Sequence, residues 1–433
     1  MTCDNAINNR HQQKQHQSED QRLSQRLSQK QFDIVIAGGG LSGTLSALGL
    51  ASLKKADGSP LSIAIIETND IHQTPKLTFD SRVLALSHGS AEYLKSLNVW
   101  HHIAELAAPI KNIHISDRGY YGKARLTAEA HQVSALGYVV EMSLLGKAFL
   151  FELSEKTQTE SKNITWFCPD HITDIDWQSE SVNITLNSSQ KLSAKLLLAC
   201  DGAQSTCRQF ANISSTSRSY KQSALIANIS MAKPHNNIAY ERFTESGPIA
   251  MLPLTDSSEK SSKCSLVWTL TPEQADGIKT LGDNAFKQHL EIAFGSWLGS
   301  VEKVGERGIY PLNLVQADEQ VYHRMALIGN ASHTIHPIAG QGFNLGLRDV
   351  QQLCECVANN IEQGVDIADF SALTRYAIKR KVDHQQVITL TDSLVTLFSN
   401  DLPSLVVGRN IGLKVLNYFK PLKERLVNKT MGY

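Results

Sequence analysis

The sequence predicts an α/β protein in which a mostly parallel sheet is joined by an antiparallel sheet and followed by C-terminal helices. Three observations predict it. Asp33–Leu50, DIVIAGGGLSGTLSALGL, runs from a short apolar stretch through four glycines into a small, apolar helical segment. Leu61–Ile66, LSIAII, is a second continuous apolar strand and ends in Glu67. Between 222 and 270 the pattern changes to strand-like runs divided by polar turns, which implies an antiparallel sheet.

The chain opens on a polar, glutamine-rich stretch, 1–31, with a tandem QRLS repeat at Gln21–Ser24 and Gln25–Ser28. It lacks the apolar segment of a secretory signal. Its arginines and serines suit a transit peptide, but Asp4, Glu19 and Asp20 do not, and a disordered tail is expected. Ile34–Ala37 then reads as a buried strand. Gly38, Gly40 and Gly43 follow with the spacing G-x-G-x-x-G, and a helix runs to about Leu53. Strand, glycine turn and helix together give the spacing its meaning. Gly38 allows the tight turn, Gly40 lets the backbone approach a pyrophosphate, and Gly43 lets helix and strand pack closely. The free N–H groups and dipole at the helix start favour the phosphate charge. Glu67 lies roughly twenty residues on, where an acid binds a ribose 2′-OH and repels a 2′-phosphate. This first region is therefore Rossmann-like and built for an ADP moiety, as in FAD or NAD.

Ser87–Leu97 has helical spacing and is preceded by Arg82. Asn112–Ser116 and Gly137–Glu141 read as short strands that leave and re-enter the first domain. Asn163–Phe167 and Val182–Leu186 alternate and suggest a small antiparallel element. Leu196–Cys200 is a continuous apolar strand that ends abruptly in Asp201-Gly202. Ala224–Met231, Asn237–Phe243, Pro248–Leu254 and Ser265–Leu270 are the strands of the antiparallel sheet, and a helix is expected at 283–295. Met325–Ile328 is another buried strand. It opens Gly329–Val350, GNASHTIHPIAGQGFNLGLRDV, in which Gly340, Gly342 and Gly346 precede or begin a helix towards Ile361. A helix near 366–396 follows. The last stretch, 401–433, is amphipathic, with Lys414, Lys420, Lys423, Arg425 and Lys429 among leucines and valines.

Length and composition set the bounds. The chain has 433 residues, enough for two or three domains and a large core. Lys plus Arg equals Asp plus Glu at 42 each, so no global field favours nucleic acid. The seven cysteines, Cys3, Cys168, Cys200, Cys207, Cys264, Cys354 and Cys356, are scattered, and a reduced cytosolic protein is the simplest reading. They are expected to be buried small hydrophobes. No apolar run approaches the ~20 residues that span a bilayer.

Three separated motifs now coincide: Gly38–Gly43, Asp201-Gly202 after a buried strand, and Gly329–Asp349 with its HP-x-x-G-Q-G core. Together they resemble the flavoprotein aromatic hydroxylases of the p-hydroxybenzoate hydroxylase fold. The resemblance is nearer to the ubiquinone-biosynthesis branch, through Asp80-Ser81-Arg82 with Ala85-Leu86-Ser87, Gly137-Tyr138-Val139-Val140-Glu141, Tyr240-Glu241-Arg242-Phe243 and Gly329–Asp349. It extends over essentially all of 32–433. One departure marks a subgroup. The general family has aspartate where this chain has Asn330; Asn330 with Gln341-Gly342-Phe343-Asn344 is similar to the 2-polyprenyl-6-methoxyphenol hydroxylase subfamily. Asparagine can still bond the flavin's ribityl and pyrophosphate region, without charge.

The resemblance implies an FAD-binding domain of that type in 32–112, 138–212 and 321–385. It implies a substrate domain with the antiparallel sheet in 113–137 and 213–320, and a C-terminal helical region in 386–433. It implies a monooxygenase in which NAD(P)H transiently reduces FAD, O₂ adds as a hydroperoxide, and an electron-rich polyprenylated phenol takes the distal oxygen. The protein's part is to bind flavin, exclude water and position the ring. FAD is assigned to Gly38, Gly40, Ser42, Gly43, Glu67, Thr68, Arg82, Asp201, Gly202, Gly329, Asn330, Gly342, Phe343 and Asn344. Pro337, Gly340, Gln341 and Gly342 would lie at the reactive edge, with the helix start near Gly342 aimed at the ring. There is no second Rossmann motif for the nicotinamide.

Other features are weighed beside these. His333 and His336 sit three apart, as metal ligands can, but no carboxylate or cysteine completes a site, and no metal is assigned. Glu241 and Arg242 are adjacent in a strand and should face opposite sides; one lines the substrate cavity, or they form cross-strand ion pairs. The basic C-terminus either packs on the domain or lies on a membrane surface, since a polyprenyl substrate is lipid-like. The expected setting is cytoplasmic, peripheral on the inner face of the membrane if that contact forms, within a multi-enzyme ubiquinone complex if the chain joins one. Two alternatives remain: a flavin-dependent reductase of similar fold, and a flavin-binding structural subunit.

Overall fold

The structure is a computed structural model that describes residues 29–71, 82–119, 122–159, 163–256, 261–335, 340–398 and 431. Asp80, Ser81, His336, Pro337 and nearly all of the basic C-terminal stretch fall outside these residues, as does most of the N-terminal tail.

The apolar run in β1 (Lys30–Ala37) is buried on both faces, as a central parallel strand must be. Ile34 and Ile36 point into one core with the helix α1 (Leu41–Ala51), while Val35 and Ala37 point into a second. β1 pairs in parallel with β2 (Ile63–Ile66) on one side and β11 (Lys191–Ala199) on the other. β8 (Ile164–Phe167) lies parallel outside β2, and β19 (Met325–Leu327) parallel outside β11. This corrects the expectation for Asn163–Phe167. It is an edge strand of the parallel sheet, whereas Val182–Leu186 is the antiparallel β10, paired to β11 and to β9 (Ile172–Trp177).

A three-stranded antiparallel sheet, β3 (Val83–Ser87), β7 (Gly137–Glu141) and β4 (Ala108–Ile110), stands beside the first. The helix α2 (His88–Ser96) follows β3, with Ser87 as its cap accepting from Ser90 N at 3.2 Å.

The second large sheet has nine strands. Its middle is β12 (Ser215–Met231), β15 (Lys263–Leu270), β14 (Gly247–Pro253) and β13 (Ile238–Thr244), all antiparallel. β5 (Asn112–Asp117) joins in parallel to β13 and brings β6 (Lys123–Thr127) with it. On the opposite flank β12 pairs with β17 (Gly308–Ala317), a strand the sequence pattern did not reveal. One face is covered by α5 (Pro272–Lys279) and α6 (Asp283–Phe294), through a core that includes Leu225, Trp268, Phe286 and Leu290.

Two long helices complete the fold: α7 (Gln341–Glu362) and α8 (Phe370–Phe398). No helix among the described residues is long and apolar enough to cross a membrane. Met431 is buried against Leu126, Ala128 and Leu136, and its carbonyl accepts Gly89 N at 2.7 Å.

Candidate functional site

Four strands end in line. The register pairs Ala37 with Ile66 and Ala199, and Ala199 with Leu327. The chain therefore leaves the sheet side by side at Gly38, Glu67, Cys200 and Ile328. β1 has β2 on one flank and β11 on the other, so a crevice opens outside these carboxyl ends where chain connections diverge.

At the first exit Gly38 turns with φ +98° under the Cys200 carbonyl, which a Cβ would approach to 2.5 Å. A Cβ on Gly43 would lie 1.8 Å from the Gly38 carbonyl oxygen, so only glycine lets α1 begin this close to β1. Among the described residues, nothing lies within 4 Å of a Cβ placed on Gly40. This helix start has no side-chain cap among the described residues, and its first turn holds no acidic residue, which leaves its N–H groups and dipole available to an anion. Glu67 reaches back across the turn: its Oε2 accepts Gly39 N at 2.7 Å, and Oε1 accepts Asn69 N at 2.8 Å. Thr68 beside it is exposed.

At the third exit Asp201 Oδ2 accepts Cys207 N at 3.0 Å, whereas Oδ1 is buried with no partner among the described residues. Gly202 continues the turn with φ +86°.

The fourth exit closes the set. A Cβ on Gly329 would be 2.7 Å from Ser42 Oγ, and one on Gly346 would be 3.0 Å from Gly329 Cα. The two glycine-rich stretches, hundreds of residues apart in sequence, therefore touch. Asn330 is exposed on this turn. The start of α7 is set by Gly340, in the left-handed region at φ +62° and so close to Ala85 that a Cβ would clash at 2.7 Å. This helix start also lacks a side-chain cap. Gln341 is buried, while Gly342 and Phe343 are half-buried, the latter against the core under α1. Arg82 is exposed and makes no ion pair among the described residues; its backbone carbonyl accepts Met142 N at 2.8 Å.

Asn344 has a different part from the one the motif suggested. Its Oδ1 accepts Ser87 N at 2.8 Å and Ser90 Oγ at 2.7 Å, and its Nδ2 donates to Ala85 O and Gly340 O, both at 2.8 Å. The amide is spent inside the protein. It ties α7 to β3.

Sequence reasoning also missed a buried cluster. Asp349 is fully buried; its Oδ1 accepts Arg380 Nε at 2.6 Å and His384 Nε2 at 2.8 Å, and its Oδ2 accepts Gly329 N at 3.1 Å. His333 Nδ1 lies 3.6 Å from the same Oδ2. Burial pushes the Asp349 pKa up, but His384, His333 and Arg380 outweigh it and hold the carboxyl below its usual range. Burial, with His384 beside it, pushes His333 down to about 3, so it is neutral. A carboxylate and a second histidine thus join His333, contrary to the sequence expectation. His333, Asp349 and His384 are close enough to share an ion. The Arg380 guanidinium already occupies the carboxylate and repels a cation, which makes the cluster a hydrogen-bonded anchor. The only local signal was the i, i+4 spacing of Arg380 and His384.

Glu241 and Arg242 do face opposite sides. Arg242 lies over the Trp297 ring, 5.0 Å from its centroid, on the face covered by α6. Glu241 is on the other face, paired across the strands with Ile115 and Ala250, which removes the cross-strand ion pair. Burial alone raises its carboxyl to about 7. This face meets the rest of the protein at two places. Leu314 packs with Ile335 and Leu345 near the start of α7, and Ala239, Leu252 and Ile113 pack with Val83 and Val139 of the three-stranded sheet. Lys263 Nζ and Glu141 add an ion pair at 3.4 Å there. A groove of about 540 Å³ lies beside α5 and α6, lined by Trp268, Leu270 and Ile278. None of the strand-exit residues lines it.

Comparison with known proteins agrees with this geometry. Residues 31–391 match the family model described as FAD binding domain. The chain is 32% identical over 408 residues to "Ubiquinone hydroxylase UbiL" of Rhodospirillum rubrum, covering 93% of this chain and 90% of that one. It is 30% identical to "Ubiquinone biosynthesis monooxygenase COQ6, mitochondrial" of Danio rerio, covering 92% and 89%. Among solved structures, p-nitrophenol 4-monooxygenase PnpA from Pseudomonas putida DLL-E4 superposes with a TM-score of 0.74 at 16% identity, covering 93% of this chain and 99% of that one. PqsL, described as a probable FAD-dependent monooxygenase from Pseudomonas aeruginosa, gives 0.70 at 17% identity, covering 89% and 100%. These two likenesses concern the fold alone.

Proposed function

This chain belongs to the FAD binding domain family and to the group of FAD-dependent monooxygenases that its ubiquinone-hydroxylase relatives define, and from that premise we propose that it hydroxylates a polyprenylated phenol, 2-polyprenyl-6-methoxyphenol, in ubiquinone biosynthesis. On this reading 32–112, 138–212 and 321–385 form the FAD-binding unit, and 113–137 with 213–320 the substrate unit.

The observation that carries the proposal is the contact of Ser42, Gly329 and Gly346, which brings two uncapped helix starts to one crevice. The residues present fit FAD. The open α1 start around Gly40 suits a pyrophosphate. Glu67 suits a ribose hydroxyl. The buried, unpartnered Asp201 Oδ1 needs a donor, and a ribityl hydroxyl supplies one without the repulsion a phosphate would bring. Gly202 and Asn330 border the same exits, Arg82 precedes β3, whose Ala85 lies against the α7 start, and the first N–H groups of α7 would stabilise negative charge on the ring. FAD held by these residues would supply an electrophilic oxygen atom from O₂ at the expense of NAD(P)H. The protein binds the cofactor, holds the phenol against it and keeps water out. Contact of 401–433 with a membrane surface and membership of a multi-enzyme complex are parts of the same proposal.

The test uses purified protein, NAD(P)H, ¹⁸O₂ and 2-methoxy-6-(3-methylbut-2-enyl)phenol. We expect a flavin spectrum, phenol-stimulated NAD(P)H oxidation and one ¹⁸O atom in the ring product. Oxidation of NAD(P)H with no labelled product rejects hydroxylation in favour of a reductase.

A further inference from the structure

We propose that Glu241 is the catalytic base of this hydroxylation, accepting the phenolic proton of the substrate as oxygen is delivered to the ring. The inference rests on the reaction proposed above.

The geometry begins with the register. Ile226, Val267, Ala250, Glu241 and Ile115 are direct neighbours across five strands and share one face of the nine-stranded sheet. All five are partly accessible, while the residues beside them in β12, β14 and β15, namely Leu225, Ala227, Ile249, Met251, Leu266 and Trp268, are buried under the opposite face. They form an apolar strip with one carboxylate on it. The strip runs between the two contacts this face makes with the start of α7 and with β3, the elements that Gly340 and Arg82 immediately precede. An apolar strip holding one acid is what a greasy phenol needs: hydrocarbon for the prenyl chain and an acceptor for the hydroxyl.

A structural role does not account for Glu241. It makes no hydrogen bond or ion pair among the described residues, and its cross-strand neighbours are apolar. The charged groups sharing its face are Asp117 two positions along β5, the Lys263–Glu141 pair, and Lys303, which pairs with Ser230 of β12. None of these contributes to its shift, which burial produces alone. An unpaired acid here costs stability that a methionine would not.

The chemistry needs such a group. A phenol attacks an electrophilic oxygen through its ring carbon, pushed by the phenolic oxygen; as that C–O bond forms, the bond from the oxygen to its donor breaks, and the donor keeps the electron pair and takes up a proton from water. That oxygen donates far better as its O–H bond breaks. The electron pair of that bond stays on the ring oxygen and the proton passes to the Glu241 carboxylate. On rearomatisation the ring C–H proton leaves to solvent, and Glu241 returns its proton to the ring oxygen. No electrons enter or leave at Glu241. A carboxyl near 7 is ionised in sufficient amount at neutral pH, yet basic enough to assist.

The test compares FAD-loaded wild type, Glu241→Gln, Glu241→Asp and Glu241→Met with the same prenylated methoxyphenol. General-base catalysis is worth roughly 100-fold or more, so Glu241→Gln should lose about that in kcat/KM. FAD binding should be unchanged. Wild-type kcat/KM should fall below pH about 7, and that limb should vanish in Glu241→Gln and persist in Glu241→Asp. Across phenols acidified by ring fluorine, the Gln variant should depend more steeply on substrate acidity. Glu241→Met should be folded, inactive and at least as heat-stable as wild type. Glu241→Gln within threefold of wild type, or retaining the acid limb, overturns the base while leaving the hydroxylase reading intact. No labelled product from wild type overturns both.

Discussion

Replacing Asp349 by asparagine should loosen the turn on which the two glycine stretches meet. The side chain is fully buried, and its two oxygens serve donors on opposite sides: Arg380 Nε and His384 Nε2 at 2.6 and 2.8 Å, and Gly329 N at 3.1 Å. Asparagine has one carbonyl oxygen. Either orientation aims its NH₂ at another donor, and the Arg380 charge loses one carboxylate. Removing one partner of a buried pair costs about 3–5 kcal/mol. Arg380 keeps Asp383 at 2.7 Å, which places the expectation at the low end, about 3 kcal/mol. Urea unfolding of the apoprotein reads this as a lower midpoint at unchanged slope. Flavin fluorescence titration reads the second consequence: with the Gly329 amide unpaired beside Ser42, FAD should bind at least about 10-fold more weakly, which corresponds to about 1.4 kcal/mol. Since the cost arises from a stranded arginine, Asp349→Asn with Arg380→Met should be less destabilised than the two single changes sum to. A single variant within about 0.5 kcal/mol of wild type, the ordinary range of a neutral surface change, would refute the anchoring role.

Gly43→Ala should leave a folded protein that binds FAD at least about 10-fold more weakly, because relieving a 1.8 Å approach to Gly38 O displaces α1 and overpacking costs about 1–3 kcal/mol; flavin fluorescence measures it. Asn344→Ala strands Ser87 N and the Ala85 carbonyl and should lower stability by about 2–3 kcal/mol, read by urea unfolding. His333 titrates at about 3 folded against 6.5 unfolded, so on acidification the unfolded chain takes up a proton first. Stability from this group is full above about pH 6.5 and falls by up to about 1.4 kcal/mol per pH unit towards 3. Asp349, with its folded pKa depressed, adds loss in the same direction below the ordinary carboxylate range. His333→Gln should flatten the slope of unfolding free energy against pH between 6 and 4; an unchanged slope would count against a buried neutral His333.

What was legible in the sequence was local. The Gly38–Gly43 spacing and Glu67 could be read because turn, helix start and acid lie within one strand–helix–strand unit. Alternation placed Glu241 and Arg242 on opposite faces, but which face met α7 depended on the eight other strands of the sheet. Asn163–Phe167 was misjudged because a short apolar run does not reveal whether its partner is parallel. β17 went unseen because Pro311 reads as a strand breaker, although it sits opposite Ser223 within the ladder. The helix α5 announced itself only in Thr271-Pro272 with Gln274, a capping box that pattern reading passed over. The Asp349 cluster was invisible because its members come from β20 (His333–Thr334), α7 and α8, and nothing in their spacing requires them to meet.

The Asn344 and Asp349 bonds together explain how a helix start can serve a cofactor ring. Five residues separate them along α7, which turns them by about 140° about the axis. One reaches β3 and α2, the other α8 and the Gly329 turn. The first two turns of α7 are therefore gripped from two sides, and rotation that relaxes one grip strains the other. An N–H array aimed at developing charge is useful only if it does not reorient when the charge appears. A single grip would leave the helix free to roll. With two, loss of either should weaken FAD binding more than loss of an equal free energy in the cores under α5 and α6. Comparing Asn344→Ala and Asp349→Asn with Leu290→Ala at matched destabilisation tests this, and equal FAD affinities in the three would show that stability alone, and not the clamp, sets the cofactor site.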